Sequence, residues 1–277
     1  MAAYIYKYTE RMRRMKYSAS SLSFPQGSVK RLKNLDKRIG IEIFYEFASE
    51  DMWNHVLEEA MVDREGEFSI HSPMFYADVC YSEEKELIRE LVAPFKMYHR
   101  FNGQFYVLHS QGERNLPSDE KERTELRKKV TERIKLFSEI CEFEGVTLAV
   151  ENLYKGTPEP LFNQEEYIHL FEEVPKAKAL IDVGHAVLGH YDIYEVQKAL
   201  KERLIGYHVH DNDGTRDFHW RMGAENGVVD WDRFCLGVKQ YTPDATLVME
   251  YARAKLEDYT EDMEKFEGKL ANIKEGL

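Results

Sequence analysis

The chain is poor in cysteine: its three, Cys80, Cys141 and Cys235, are odd in number, far apart and without CxxC spacing. That excludes a disulfide framework and predicts reduced, buried structural thiols in a cytoplasm-like compartment. No apolar run approaches the roughly 18 residues of a membrane span, and the amino-terminal residues lack the apolar segment of a secretory signal. A soluble, cytoplasmic protein with no membrane partner is the expectation. Positive charge is also short, since 38 Lys and Arg against 50 Asp and Glu leave a net charge of -12. Nucleic-acid affinity is built by neutralising phosphates with Lys and Arg, so a polyanion is not the expected partner. Gly/Ser-rich or Pro-rich linkers, repeats and low-complexity tracts are absent. Nothing therefore divides the 277 residues into two domains.

Hydrophobic residues make up 43% of the chain, enough for a full core. Residues 1–15, MAAYIYKYTERMRRM, mix basic and tyrosine residues ahead of the first strand and read as an amino-terminal extension. The domain proper is expected over residues 16–277. Six short apolar runs each end on a residue able to ligate a metal: FSI into His71, FYVL into His109, TLAV into Glu151, ALI into Asp182, GYHV into His210 and TLVM into Glu250. Intervals of 28 to 42 residues between those ends suit a strand, loop, helix and return loop.

Eight strands are predicted in all, at 16–20, 40–44, 68–71, 104–109, 147–151, 179–182, 205–210 and 245–250. Between them lie charged amphipathic stretches. The clearest is Ser118 to Glu144, where Leu126, Val130, Ile134, Leu136, Ile140 and Cys141 recur near helical spacing. Strands apolar almost throughout suit a parallel sheet covered on both faces, and eight βα units make a single-domain α/β fold, a (β/α)8 TIM barrel, the expected architecture. The carboxyl ends of such strands gather catalytic groups on one rim.

Asp182 and His185 stand three apart at one strand end, and the next, GYHVHDNDGTRDFHW, adds His208, His210, Asp211, Asp213, Asp217 and His219. Strand alternation puts His208 and His210 on one side. His210, the last, is assigned as the ligand, and His208 as a hydrogen-bonded core histidine. Glu151 and Glu250 end strands three steps apart and face each other across the pocket. Either alone is explained by a rim salt bridge. With Asp182 and His210 they form an oxygen-rich set suited to Mn2+, Mg2+ or Co2+, while added nitrogens from His71, His109, His185 and His219 shift the preference toward Zn2+ or Fe.

The segments IHSP, LAVEN, IDVGH, HVHDNDG, DFH, GAENGVVDW and LVME, spread between Lys16 and Arg253, resemble the xylose isomerase-like barrels. That family includes sugar phosphate isomerases and epimerases and the DNA-repair endonuclease IV. Resemblance to its ketohexose 3-epimerases implies one divalent metal on Glu151, Asp182, His210 and Glu250. It further implies Glu151 and Glu250 as catalytic proton-transfer groups, and His185 and Arg216 on substrate oxygens. The reaction implied is isomerisation or epimerisation by proton transfer through a metal-stabilised enediolate. Resemblance to endonuclease IV extends the ligand set to His71, His109, His185, Asp217 and His219, a multinuclear Zn2+ cluster acting on abasic DNA. If they carry no ions, His71 and His109 are expected to grip the sugar. Oligomers are common among such relatives, which makes a homo-oligomer a further implication.

A nuclease needs basic, intercalating loops. Here the rim segments FYADVCYSEEKE and EYARAKLEDY are aromatic and acidic, which favours a small-molecule sugar or sugar phosphate over nucleic acid. Tyr76, Tyr154, Trp220 and Tyr251 are expected to wall the pocket, and Arg216, Arg221 and Arg253 to receive a phosphate or carboxylate on the substrate.

Overall fold

Runs such as GIEIF and FSIH are buried at every position, because helices cover their outer faces while side chains fill the space between the strands. The computed structural model describes residues 15–72, 77–112, 114–154 and 159–273. Residues 1–14, which make up almost all of the expected extension, lie outside the described residues, as does Tyr76. Eight parallel strands close in chain order: β1 (Lys16–Ser20), β2 (Gly40–Phe44), β3 (Phe68–His71), β4 (Tyr106–His109), β5 (Leu148–Glu151), β6 (Lys178–Asp182), β7 (Leu204–Val209) and β8 (Thr246–Met249). Pairing of Lys16 with Thr246 begins the β8–β1 seam that completes the (β/α)8 barrel.

The first three strands have the predicted bounds, and the rest differ by one or two residues at one or both ends. His210 and Glu250 stand just past β7 and β8, where the ladder gives way to loops. Inside the barrel Phe105, Val107, Ala149, Leu180 and Val248 form an apolar plug. Side chains two residues apart on a strand share a face. His109, Glu151, Asp182 and Glu250 therefore stand directly above Val107, Ala149, Leu180 and Val248.

Outside the strands, the helix Glu120–Phe143 begins on Asp119, whose carboxylate accepts the Glu122 N–H. Its buried stripe runs Leu126, Val130, Ile134, Phe137 and Cys141; Leu136 and Ile140 sit at its edge, half-buried. Between β1 and β2 the chain crosses as a 3-10 segment, Gln26–Asn34, in place of an α-helix. All three cysteines are free and buried, and burial pushes each thiol up to about 12. Among the described residues no helix is long and apolar enough to cross a membrane.

The final helix, Leu256–Asn272, seats Phe266 against Tyr17, Trp231 and Phe234 with ring centroids 5.5 to 6.4 Å apart. Phe266→Ala leaves a cavity where helix meets barrel and is expected to cost about 3–5 kcal/mol in urea unfolding. An undiminished midpoint would mean that this helix contributes little to the core.

Candidate metal centre

Each trio of donors in the rim joins residues from the ends of at least two strands, so barrel closure brings its members together. His71 of β3 and His109 of β4 point their Nε2 atoms at each other, 3.0 Å apart, and both lie 3.5 Å from Glu151 Oε2 on β5. On the opposite side His185 and His219 bring Nε2 to 3.1 and 2.9 Å from Asp217 Oδ2. Between these trios Asp182 meets His210 Nε2 at 2.9 Å. Glu151 and Glu250 approach a common neighbour, His208 Nδ1, at 3.3 and 3.5 Å, with Asp182 at 3.9 Å. All nine donors expected from the sequence converge.

Local structure sets their orientation. Asp182 caps the helix Val183–Leu188 by accepting the His185 N–H at 2.6 Å, so one carboxylate serves both the helix and the centre. His219 adopts φ 49°, a left-handed conformation uncommon for a residue with a Cβ, and its ring stacks on His210 at 3.9 Å. Asn152 clamps the β5 and β6 ends by accepting the Asp182 N–H at 2.8 Å and facing the Asp182 carbonyl at 3.2 Å. Asp211 is buried and accepts from the backbone of Asn212, Gly223 and Val229 and from the Trp231 indole. Its work is to anchor the GAENGVVDW loop.

Three imidazoles are held in one tautomer. The Nδ1–H groups of His71, His185 and His219 donate to the carbonyls of Ser72, Asn152 and Glu250 at 3.3, 3.1 and 2.9 Å. A carbonyl can only accept, so each Nδ1 carries a proton, and a neutral ring offers its Nε2 lone pair to the centre. Metal-bound histidines are oriented in this way. In addition Glu151 Oε2, Glu250 Oε1, His208 Nδ1 and His210 Nδ1 are buried without a hydrogen-bond partner among the described residues. Buried polar atoms are rarely left so. Two facing nitrogens beside a carboxylate, with orphaned oxygens nearby, fit a divalent cation: the trios are nitrogen-rich, and Glu151, Asp182, His210 and Glu250 are oxygen-rich.

The protonation pattern follows from burial competing with neighbours. Burial, joined by repulsion from His71, His185 and His208, pushes His109 down to about 3, and Glu151 offsets it only in part. For His219 burial is outweighed by Asp217 and Glu250, which raise it to about 9. His185 is likewise raised against burial, by Asp182 and Asp217, and His208 by Glu250, Glu151 and Glu42. The two glutamates diverge. Burial opposes the charge on both, but His208 and His109 hold Glu151 well below the usual range, whereas Glu250 remains raised.

Gly184 lies against the His210 ring so closely that an added Cβ would overlap it. Gly184→Ala is expected to leave a folded barrel that binds Mn2+ or Zn2+ roughly tenfold more weakly or worse, because the ring must turn away. Wild-type affinity by calorimetry would show that His210 does not need this cradle.

Several expected residues lie elsewhere. Arg216 is exposed on the turn after β7 and joins none of these contacts. Arg221 does not face a substrate, since Asp258, Glu261 and Asp262 hold its guanidinium. Tyr251 is fully buried and stacks on Tyr259 at 5.5 Å, which makes it core and not pocket wall. Tyr154 is half-buried at the β5 end. Trp220 stacks on Phe218 and, with His219 and Arg253, lines a cavity of about 650 Å3 beside the centre. Sequence reasoning missed Glu42 and Ser69 altogether; only a buried acid in the otherwise apolar run GIEIF signalled the first.

The profile of the family described as xylose isomerase-like TIM barrel matches residues 34–269. No curated protein matches by sequence. Among solved structures, a D-tagatose 3-epimerase-like protein superposes with a TM-score of 0.77 at 18% identity, covering 93% of this chain and 97% of that one. D-psicose 3-epimerase from Clostridium cellulolyticum, solved with D-tagatose, gives 0.74 at 12% identity over 92% and 99%. A Thermus thermophilus protein soaked with ZnCl2 gives 0.69 at 18% identity over 95% and 100%. At these identities the likeness is one of fold.

Proposed function

Because the chain belongs to the xylose isomerase-like TIM barrel family, we propose that it is a divalent-metal-dependent sugar, or sugar phosphate, isomerase or epimerase. The observation that carries this reading is the inward set of Nε2 lone pairs and orphaned carboxylate oxygens at the carboxyl ends of β3 to β8. Glu151, Asp182, His210 and Glu250 would hold one ion, with His71 and His109 flanking it on one side and His185, Asp217 and His219 on the other. A divalent ion there supplies a Lewis acid for negative charge developing on substrate oxygens. The D-tagatose 3-epimerase-like protein and the D-psicose 3-epimerase of the same fold favour a ketose as substrate.

The protein's own groups then divide the work. Glu151, kept ionised by its histidines, takes the proton from the carbon beside the carbonyl. Glu250, whose pKa burial raises, returns one from the opposite face. His185, fixed through Asn152, faces the same space and orients a substrate hydroxyl. Of the three arginines expected to meet a phosphate, Arg216 and Arg253 are left, since Arg221 is held by three acids. The net charge of -12 disfavours a nucleic-acid duplex.

Metal analysis combined with a screen of ketoses, aldoses and their phosphates tests the reading. Sugar conversion that depends on added Mn2+, Co2+ or Mg2+ supports it. The two flanking trios together contain enough nitrogen for zinc, so about three Zn2+ per chain with cleavage of abasic duplex DNA and no sugar conversion would replace it with phosphodiester hydrolysis.

A further inference from the structure

Beneath the centre, Glu42 of β2, Ser69 of β3 and His208 of β7 form a buried polar layer on top of the apolar plug. Glu42 and Ser69 are register partners across β2 and β3. The Ser69 hydroxyl donates to Glu42 Oε2 at 2.8 Å, and His208 Nε2–H donates to Oε1 at 2.8 Å. Each oxygen of this fully buried carboxylate thus has its own donor. The far edge of the same imidazole ring, Nδ1, is the point on which Glu151, Glu250 and Asp182 converge, at 3.3, 3.5 and 3.9 Å.

Burying a carboxylate costs several kcal/mol of lost hydration even when it is paired. Branched apolar side chains fill barrel layers without that cost. Stability alone therefore gives no reason for Glu, Ser and His at these three positions. The plug below them is apolar, so the demand comes from above.

We propose that Glu42 is a positioning residue: by pinning His208 at Nε2 it fixes the ring edge that spaces Glu151, Asp182 and Glu250, and so sets the geometry of the central metal site. An imidazole held at one nitrogen and stacked at 5.7 Å over His71 has little freedom to tilt. The carboxylates above it come from the ends of β5, β6 and β8 and meet at its Nδ1, so a tilt of His208 would move all three. This rests on the metal reading given above.

Glu42→Gln keeps the shape and one acceptor for His208, while Ser69→Ala removes only the second support. Both variants are titrated with Mn2+ and with Zn2+ by calorimetry, and thermal unfolding of the metal-free proteins is followed alongside. Glu42→Gln is expected to bind either ion about 10- to 100-fold more weakly, with a smaller loss for Ser69→Ala. For a sugar that the wild type converts, kcat falls at a little-changed KM. A purely structural role predicts a lower Tm with wild-type metal affinity, and that result overturns the proposal. Should Glu42→Gln not fold, Ser69→Ala decides: unchanged affinity there overturns it equally. Wild-type protein that takes up neither ion removes the metal reading and the positioning role with it, an outcome distinct from equal affinities in wild type and variant.

Discussion

Glu250→Gln is expected to lower kcat by about 10²- to 10⁴-fold, the usual contribution of a positioned acid or base. The amide has nearly the same shape and keeps an oxygen toward the centre, yet it cannot carry the proton. Glu250 is 2% exposed, is hemmed in by His208, His219 and Glu151, and has Oε1 without a partner. Such an oxygen is available to a substrate. The partial reaction separates its role from general damage. With Glu151 intact, the variant should still exchange the substrate's carbon-bound hydrogen with solvent, followed by deuterium incorporation, while forming no epimer. Glu151→Gln should lose exchange and product together. Equal kcat in Glu250→Gln and wild type, with equal metal content, would remove Glu250 from the mechanism.

The second large effect concerns pH. In the metal-free protein His185 and His219 are raised, His219 to about 9, so near neutral pH the Nε2 atoms that face the centre hold protons until an ion displaces them. Ligand nitrogens must lose their protons before they can bind an ion, so uptake should release protons. Apparent affinity should then rise about tenfold per pH unit for each proton displaced between roughly pH 6 and 9. Calorimetry in buffers of different ionisation enthalpy counts those protons. Stability carries the same signature with a definite sign. A histidine whose folded pKa lies above its unfolded value near 6.5 stabilises fully below that value and loses the contribution as pH rises through the folded pKa. Metal-free protein should therefore lose on the order of 5 °C in Tm between pH 7 and 10, and metal-loaded protein much less. Below about pH 4 the lowered carboxyls Glu151, Asp182 and Asp217 reverse the trend, because their stabilising charge is then lost. A metal-free Tm that climbs from pH 7 to 9 would contradict the buried imidazolium pattern.

Much of the barrel was legible because strand burial is written locally. In FSIH and LAVE the apolar run and its terminal donor are neighbours in sequence, so the alternation that places His71 and Glu151 on the inner rim needs no knowledge of the partner strand. The stripe of helix Glu120–Phe143 was read less well at Leu136 and Ile140, since a three-to-four spacing admits either side of the buried seam. Arg221 and Tyr251 misled for another reason. Arg221 is claimed by acids 37 to 41 residues away, and Tyr251 stacks under a helix that arrives after it.

Sequence by itself determined the eight strands, the rim on which they end, and which residues there can donate to a metal, because side-chain direction along a strand has a period of two. The tertiary structure alone decided how six of the nine donors sort into two trios, which imidazole nitrogen faces inward, and that His208 supports the centre from Glu42 across 166 residues of chain. Those depend on closure, stagger and twist of the barrel. Distances across a closed sheet are set by all eight strands together, and no local pattern in any one of them records the result.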